Sequence, residues 1–298
     1  MPSLEIHPLS GLRDEAAALL AERFARQRAV EPLLPEVDDF EPHVPVDGLA
    51  ATRGGKTVAY LAGALDGDTA RVGFAGCAAS DAEALRDLFA ALAGEWDVSR
   101  FAVAVPAGER ASIDAFFRLA FGCQFVWAVA EIDADVAVQL QHTYVRPGTS
   151  DDHHTAASFD EVLMRHQQGS PSFSGYELPG REELLAEWED TWDGQGTFTH
   201  FVAEIDGKVV GHALLYKRPE GDLRVPPQNI DLAHAVVDED ARRRGVGLAL
   251  FAHVSRYAHE QGYRSMTTDW RMVNLLSSRY WPKRGFRPQY LRLYRAVP

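Results

Sequence analysis

The 298-residue chain is 46% hydrophobic and 24% charged, enough apolar material for one large domain or two ordinary ones. Its net charge of −13 argues against generic nucleic-acid binding, which asks for a basic face, and it holds no run of about 18 apolar residues that would span a membrane. Cys77 and Cys123 are too few and too far apart to read as a disulfide framework and stand in no metal spacing, and Met1-Pro2-Ser3-Leu4-Glu5 lacks a basic-then-apolar leader, so a reduced cytoplasmic setting without a resident metal is expected.

In chain order, Leu4 to Leu9 reads as a first strand, and Gly48 to Tyr60 as two alternating strands around a Gly55-Lys56 turn. A strand at 71–75 leads through Cys77 to a helix start bearing Asp81 and Glu83. Those carboxylates suit the helix dipole but would repel a phosphate. Phe116 to Phe121 closes a further helix.

The plan then repeats. Thr143 to Gly148 matches the first strand, Thr199 to His212 matches the hairpin with Gly207-Lys208 at its turn, and Trp281 to Phe286 matches the helix close. The chain therefore reads as one fold written twice, joined around 133–141. In the second copy, polar Thr149 to Asp152 caps a helix, and Arg181 to Trp192 forms another with Leu184, Leu185, Trp188 and Trp192 on one face. Strands are expected at 198–205, 209–216 and 229–237, a helix at 243–260, a strand at 264–270, a helix at 274–283 and strands over 286–296.

Charge is divided as unevenly as the motifs. Residues 1–140 carry 11 basic and 22 acidic side chains, whereas residues 239–298 carry 12 basic and 4 acidic ones, 11 of the 12 being arginine. The basic stretch surrounds the most informative segment. An apolar strand ending at Val237 passes through an acidic turn into Arg242-Arg243-Arg244-Gly245-Val246-Gly247 and an amphipathic helix. A helix start exposes unpaired N–H groups and the positive dipole end, two glycines permit close approach, and the arginines add countercharge. The segment reads as a pyrophosphate cradle. The first copy has no such glycine pair or arginine cluster, which makes it a degenerate, structural copy.

Val237-x-Glu239-x-x-Arg242-x-x-Gly245-x-Gly247, followed by Asn274-x-x-Ser277-x-x-Tyr280-Trp281-Pro282-Lys283-Arg284-Gly285-Phe286, resembles the acetyl-CoA-binding motifs of the GNAT superfamily of N-acyltransferases. The resemblance is good over about 141–298 and degenerate before it. It implies an α/β fold (α+β mixed sheet) of two tandem GNAT-like domains, 1–137 and 138–298, each a central mixed β-sheet flanked by helices. It also implies acetyl-CoA as co-substrate. The amides of Arg243, Arg244, Gly245, Val246, Gly247 and Leu248 would cradle the pyrophosphate, with charge from Arg242 and its neighbours. Backbone groups of Ala235, Val236 and Val237 would pair with the pantetheine arm, and Asn274, Ser277 and Trp281 would complete the cofactor side.

By the same resemblance, Asp231 on the central strand stands where a general base is often found. Strict alternation puts it on one face with Ala233 and Ala235, leaving His234 on the other as a core histidine. The tyrosine expected seven residues after the asparagine is Trp281, whose indole is no acid at useful pKa. Tyr280 is then the first candidate for the proton donor, with Ser277 and Tyr290 as others. His153 and His154 read as a solvated helix start, and Trp188 and Trp192 as core or as a lid over the acceptor. The expected function is transfer of an acetyl group to a primary amine of a small molecule or peptide, cationic by the protein's acidity, in a monomer or homodimer. The alternatives are a non-catalytic acyl-CoA-binding regulator and a tandem acyltransferase resembling mycothiol synthase in layout.

Overall fold

The computed structural model describes residues 2–133, 143–172, 178–191, 196–219 and 221–297. The chain divides into two units, Met1–Trp127 with Pro288–Pro298, and Ala128–Arg287. The first contains β1 (Leu4–Pro8), α1 (Arg13–Val30), β2 (Gly48–Arg53), β3 (Lys56–Ala62), β4 (Ala64–Asp66), β5 (Thr69–Val72), β6 (Cys77–Ala79), α2 (Ala84–Glu95), β7 (Arg100–Pro106) and α3 (Arg110–Phe117). β8 (Gly122–Glu131) contains the point of division. The second contains β9 (Tyr144–Pro147), α4 (His153–Gln168), α5 (Arg181–Thr191), β10 (Phe198–Ile205), β11 (Lys208–Tyr216), β12 (Asn229–Val237), α6 (Val246–Glu260), β13 (Ser265–Arg271) and the single-turn α7 (Ser277–Tyr280). β14 (Arg287–Ala296) returns to the first unit. The duplication boundary at 137/138 lies outside the described residues.

Both hairpins foreseen around glycine turns form. Gly54-Gly55 and Asp206-Gly207 have positive φ at both central positions, the backbone that lets a two-residue turn follow the strand twist. In the first unit the strand orders are β1-β2-β3-β6 and β4-β5-β7-β14, with β5 and β7 parallel. Leu85, Leu88, Phe89, Phe101, Phe116, Phe121 and Leu293 pack as one core cluster, and Leu9, Leu20 and Tyr60 belong to another.

In the second unit the order is β13-β12-β11-β10-β9, parallel only between β12 and β13. α4 begins on a capping box at Thr149 and Asp152, whose Oδ2 accepts from the Thr149 N–H at 2.8 Å and its hydroxyl at 3.1 Å. Ala156 and Ala157 of α4, Leu184 and Trp188 of α5, and Leu214 of β11 bury one another on one face of this sheet. The expected helix 274–283 is shorter than its pattern. Only Ser277–Tyr280 is α-helical, and Trp281–Arg284 tightens into a 3₁₀ turn ending at left-handed Gly285. The foreseen strands at 286–296 are a single strand.

Candidate functional site

The turn after β12 sets up the site. Asp238 caps a short 3₁₀ turn at Glu239–Ala241, Arg243 adopts φ 62° and Gly245 φ 87°, and α6 starts at Val246. The Ala249 N–H donates to Gly245 O at 3.0 Å. The amides from Arg243 to Leu248 have no backbone acceptor among the described residues, so they gather at the positive end of a 15-residue helix. A Cβ on Gly247 would stand 3.5 Å from the Tyr280 hydroxyl and 3.7 Å from Val237 Cγ2, so a larger side chain would grow into the space the amides face. The donors and the room fit an anionic phosphate group. Of the three arginines, Arg242 is tied back, its Nε donating to Val237 O at 3.2 Å, while Arg243 and Arg244 are exposed.

Beside this turn β12 leaves β13. The parallel pairing runs from Asn229↔Ser265 to Leu232↔Thr268 and stops, with the Thr268 hydroxyl donating to Leu232 O at 2.9 Å. Ala233 to Val237 keep β11 as ladder partner on one side only, and Ala235 is exposed in mid-strand. This bare edge is where an extended arm can add backbone hydrogen bonds. Asn274 is buried, and its Oδ1 accepts from the Leu276 and Ser277 N–H groups at 3.1 and 3.3 Å, which fixes the turn leading into α7. Ser277 is the first residue of that turn. Trp281 is buried against Phe251 and Phe286. Tyr280 is packed under Arg284, which lies 4.5 Å from the ring centre, and burial pushes its pKa up against the contact and charge of Arg284.

The alternation used for β12 does not hold. Pairing with β11 runs Asp231↔Tyr216, Leu232↔Leu215, His234↔Leu214 and Val236↔His212, so Ala233 is an extra, bulged residue. Leu214, His212 and Tyr216 alternate by two and face α4 and α5, which puts both Asp231 and His234 on that face. Asp231 is almost fully buried and committed. Arg218 Nη2 donates to Oδ2 at 2.8 Å and Thr267 Oγ1 to Oδ1 at 2.6 Å. Each oxygen already accepts a hydrogen bond, so Asp231, expected as the base, is held by Arg218 and Thr267.

His234 Nδ1 lies 3.0 Å from Asp160 Oδ1, and His212 Nε2 lies 3.5 Å from the same oxygen. Trp188 Nε1 donates to Asp160 Oδ2 at 2.8 Å. Trp188 is therefore core rather than lid, while Trp192 lies outside the described residues. His153, expected in solvent, is buried. Asp269, one register step past the last β12–β13 pair, has its carboxyl pushed up to about 6 by burial and then by the Asp231 charge.

Asp160 and Asp269 do not stand out in the sequence. The available signals are slight, a charge on the apolar stripe of α4 (four after Ala156) and another inside the strand Ser265–Arg271. The first unit has a different set of contacts before its helix α2. Arg23 of α1, buried, donates to Cys77 O and Phe74 O, and Asp81 accepts from the Glu83 N–H and from Arg53. Among the described residues no helix is long and apolar enough to cross a membrane, and no group of three or more His, Cys, Asp or Glu could hold a metal ion.

The sequence model of the acetyltransferase (GNAT) family matches residues 163–286, which hold α5 to α7 and the turn between β12 and α6. Human N-acetyltransferase 8 is 31% identical over 87 residues, 29% of this chain, which spans only 37% of that relative's length. A GCN5-related N-acetyltransferase from Sphaerobacter thermophilus shares the fold over 98% of this chain and 96% of its own, with a TM-score of 0.63 at 12% identity. A tandem GNAT protein from the clavulanic acid biosynthesis pathway does so over 98% and 97%, with a TM-score of 0.52 at 17% identity. Residues 163–286 thus match the acetyltransferase (GNAT) family, and the chain shares its fold with these two GNAT structures along nearly its whole length.

Proposed function

We propose that the second unit transfers an acyl group from acyl-CoA, acetyl-CoA first among them, to a primary amine by direct attack. One observation carries the reading: a helix start with unsatisfied amides opens beside the bare edge left where β12 parts from β13. The amides of Arg243 to Leu248 would hold the pyrophosphate, with Arg243 and Arg244 as countercharge. The edge from Ala235 to Val237 would hold the arm and supply an N–H to the thioester carbonyl oxygen. Asn274, Ser277 and Trp281 keep α7 against α6, and Tyr280 gives its proton to the leaving thiolate. Asp160 and Asp269 lie on the acceptor side, which suits a cationic amine. The first unit, with Arg23 buried against Cys77 and Phe74 and carboxylates at its helix start, is structural.

Titration calorimetry with acetyl-CoA tests the cofactor assignment. Wild type binds, and Gly247→Glu, which fills the cradle and adds a negative charge, weakens binding by about 100-fold or more, ~3 kcal/mol. Undiminished affinity in the variant would refute the cradle. Thiol release with amines, amino acids, aminoglycosides and peptides tests the chemistry, and Tyr280→Phe should slow it. Tight acetyl-CoA binding without thiol release from any of these would leave a non-catalytic acyl-CoA-binding protein instead.

A further inference from the structure

We infer that His234, held by Asp160, is the general base that takes the ammonium proton of the acceptor; this rests on the acyl-transfer reading above. The bulge at Ala233 carries His234 onto the face of Asp231, at the level where β12 has lost its β13 neighbour. Its Nδ1 is turned to Asp160 Oδ1 at 3.0 Å. That approach is an ion-pair contact whose angle falls short of a hydrogen bond, and the side chain is 36% exposed. A carboxylate this close to Nδ1 favours the proton on that nitrogen, which leaves Nε2 as the lone-pair acceptor a base requires. Asp160 is held in turn by the Trp188 indole at 2.8 Å and faces His212 at 3.5 Å. The orienting carboxylate is thus locked from α5 and β11 while the base stands at the opening. A part-exposed histidine backed by a buried carboxylate is the order that a general base and its positioning residue require.

The groups facing His234 are Asp160 from α4, His212 from β11, Asp269 from β13 and Glu187 from α5. Burial alone would lower the imidazole pKa. Asp160, by contact and by charge, outweighs it with help from Asp269 and Glu187, and the imidazole ends above its ordinary value.

The step balances without any added reagent. The ammonium N–H proton passes to His234 Nε2, and the freed nitrogen lone pair attacks the thioester carbonyl carbon. As the C–S bond breaks, the second nitrogen proton goes to the thiolate, with Tyr280 as the proposed relay, and His234 then releases its proton to water. Amide, free thiol and one proton result.

Two measurements decide it. In the thiol-release assay, with the best amine of the panel, His234→Gln should lower kcat by about 10²–10³-fold with acetyl-CoA affinity by calorimetry unchanged. Asp160→Asn should lower kcat less and move the acid limb of the pH–rate profile to lower pH, because the neutral imidazole is the active form and Asp160 favours the charged one. NMR titration of the His234 ring should follow the same direction, above ordinary in wild type and lower in Asp160→Asn. Wild-type kcat in His234→Gln, or a limb and ring titration indifferent to Asp160→Asn, would overturn the dyad while leaving acyl transfer standing. Absence of thiol release by wild type would sink the acyl-transfer reading and the dyad's catalytic role together.

Discussion

Asp269 carries a cost that most folds avoid, a carboxyl in a confined place facing a second carboxylate. With its pKa at about 6 in the folded chain against an ordinary 3.8, the native state binds more protons than the unfolded state between those values. Stability therefore falls as pH rises from about 4 to about 6 and stays lowered above it. Asp269→Asn should remove that penalty, raising Tm by a few degrees at pH 7, about 2–4 °C per kcal/mol, with little difference near pH 4. A variant less stable than wild type at pH 7 would contradict this. The residue scale is also where sequence reading falters. Asp231 is recognisable as a polar residue in a central strand, but its partners Arg218 and Thr267 are 13 and 36 residues away. His234 looks like core under strict alternation, and one bulged residue reverses that.

Elements were legible wherever the chemistry is local. Gly54-Gly55 and Asp206-Gly207 announce their hairpins, and Thr149 to Asp152 announces a helix start, because turn and cap preferences act within four residues. The start of α6 was legible too, since Gly245 and Gly247 have little other reason to follow three arginines. The α4 start does more than cap. Arg146 of β9 donates to both oxygens of Asp152 at 2.8 and 3.0 Å and to Glu204 of β10 at 2.8 Å, binding two strands to the helix.

Arg146 first, and then the Thr149 bonds, hold the Asp152 carboxyl down at about 2 against burial. A depressed pKa contributes stability that is fully present above the ordinary 3.8 and is lost as pH falls towards 2. Asp152→Ala should thus cost about 2–3 kcal/mol at pH 7, combining ion pair and cap. The gap from wild type should close in acid unfolding below pH 4. A gap independent of pH would mean that packing, rather than the charge, is what Asp152 supplies.

At the scale of the whole chain, the last strand belongs with the first unit although it ends the second copy in sequence. β14 pairs antiparallel with β7 from Tyr290↔Pro106 to Ala296↔Arg100, and Tyr290 and Leu293 are buried there. Ending the chain at Arg287 should leave β7 as a bare apolar edge, abolish amide-exchange protection over Arg100–Pro106 and promote aggregation. Native protection in the shortened chain would refute the assignment.

The sequence by itself determined the duplicated plan, the glycine turns, the cap of α4 and the start of α6. Each follows from side-chain periodicity or backbone preference over a few neighbouring residues. Only the tertiary structure decided that β14 crosses to the first unit, that β12 parts from β13 after Leu232, and that a bulge sets His234 beside Asp160. Those outcomes depend on which distant strands pair and in what register, a choice made by packing over the whole sheet that no short stretch of sequence encodes.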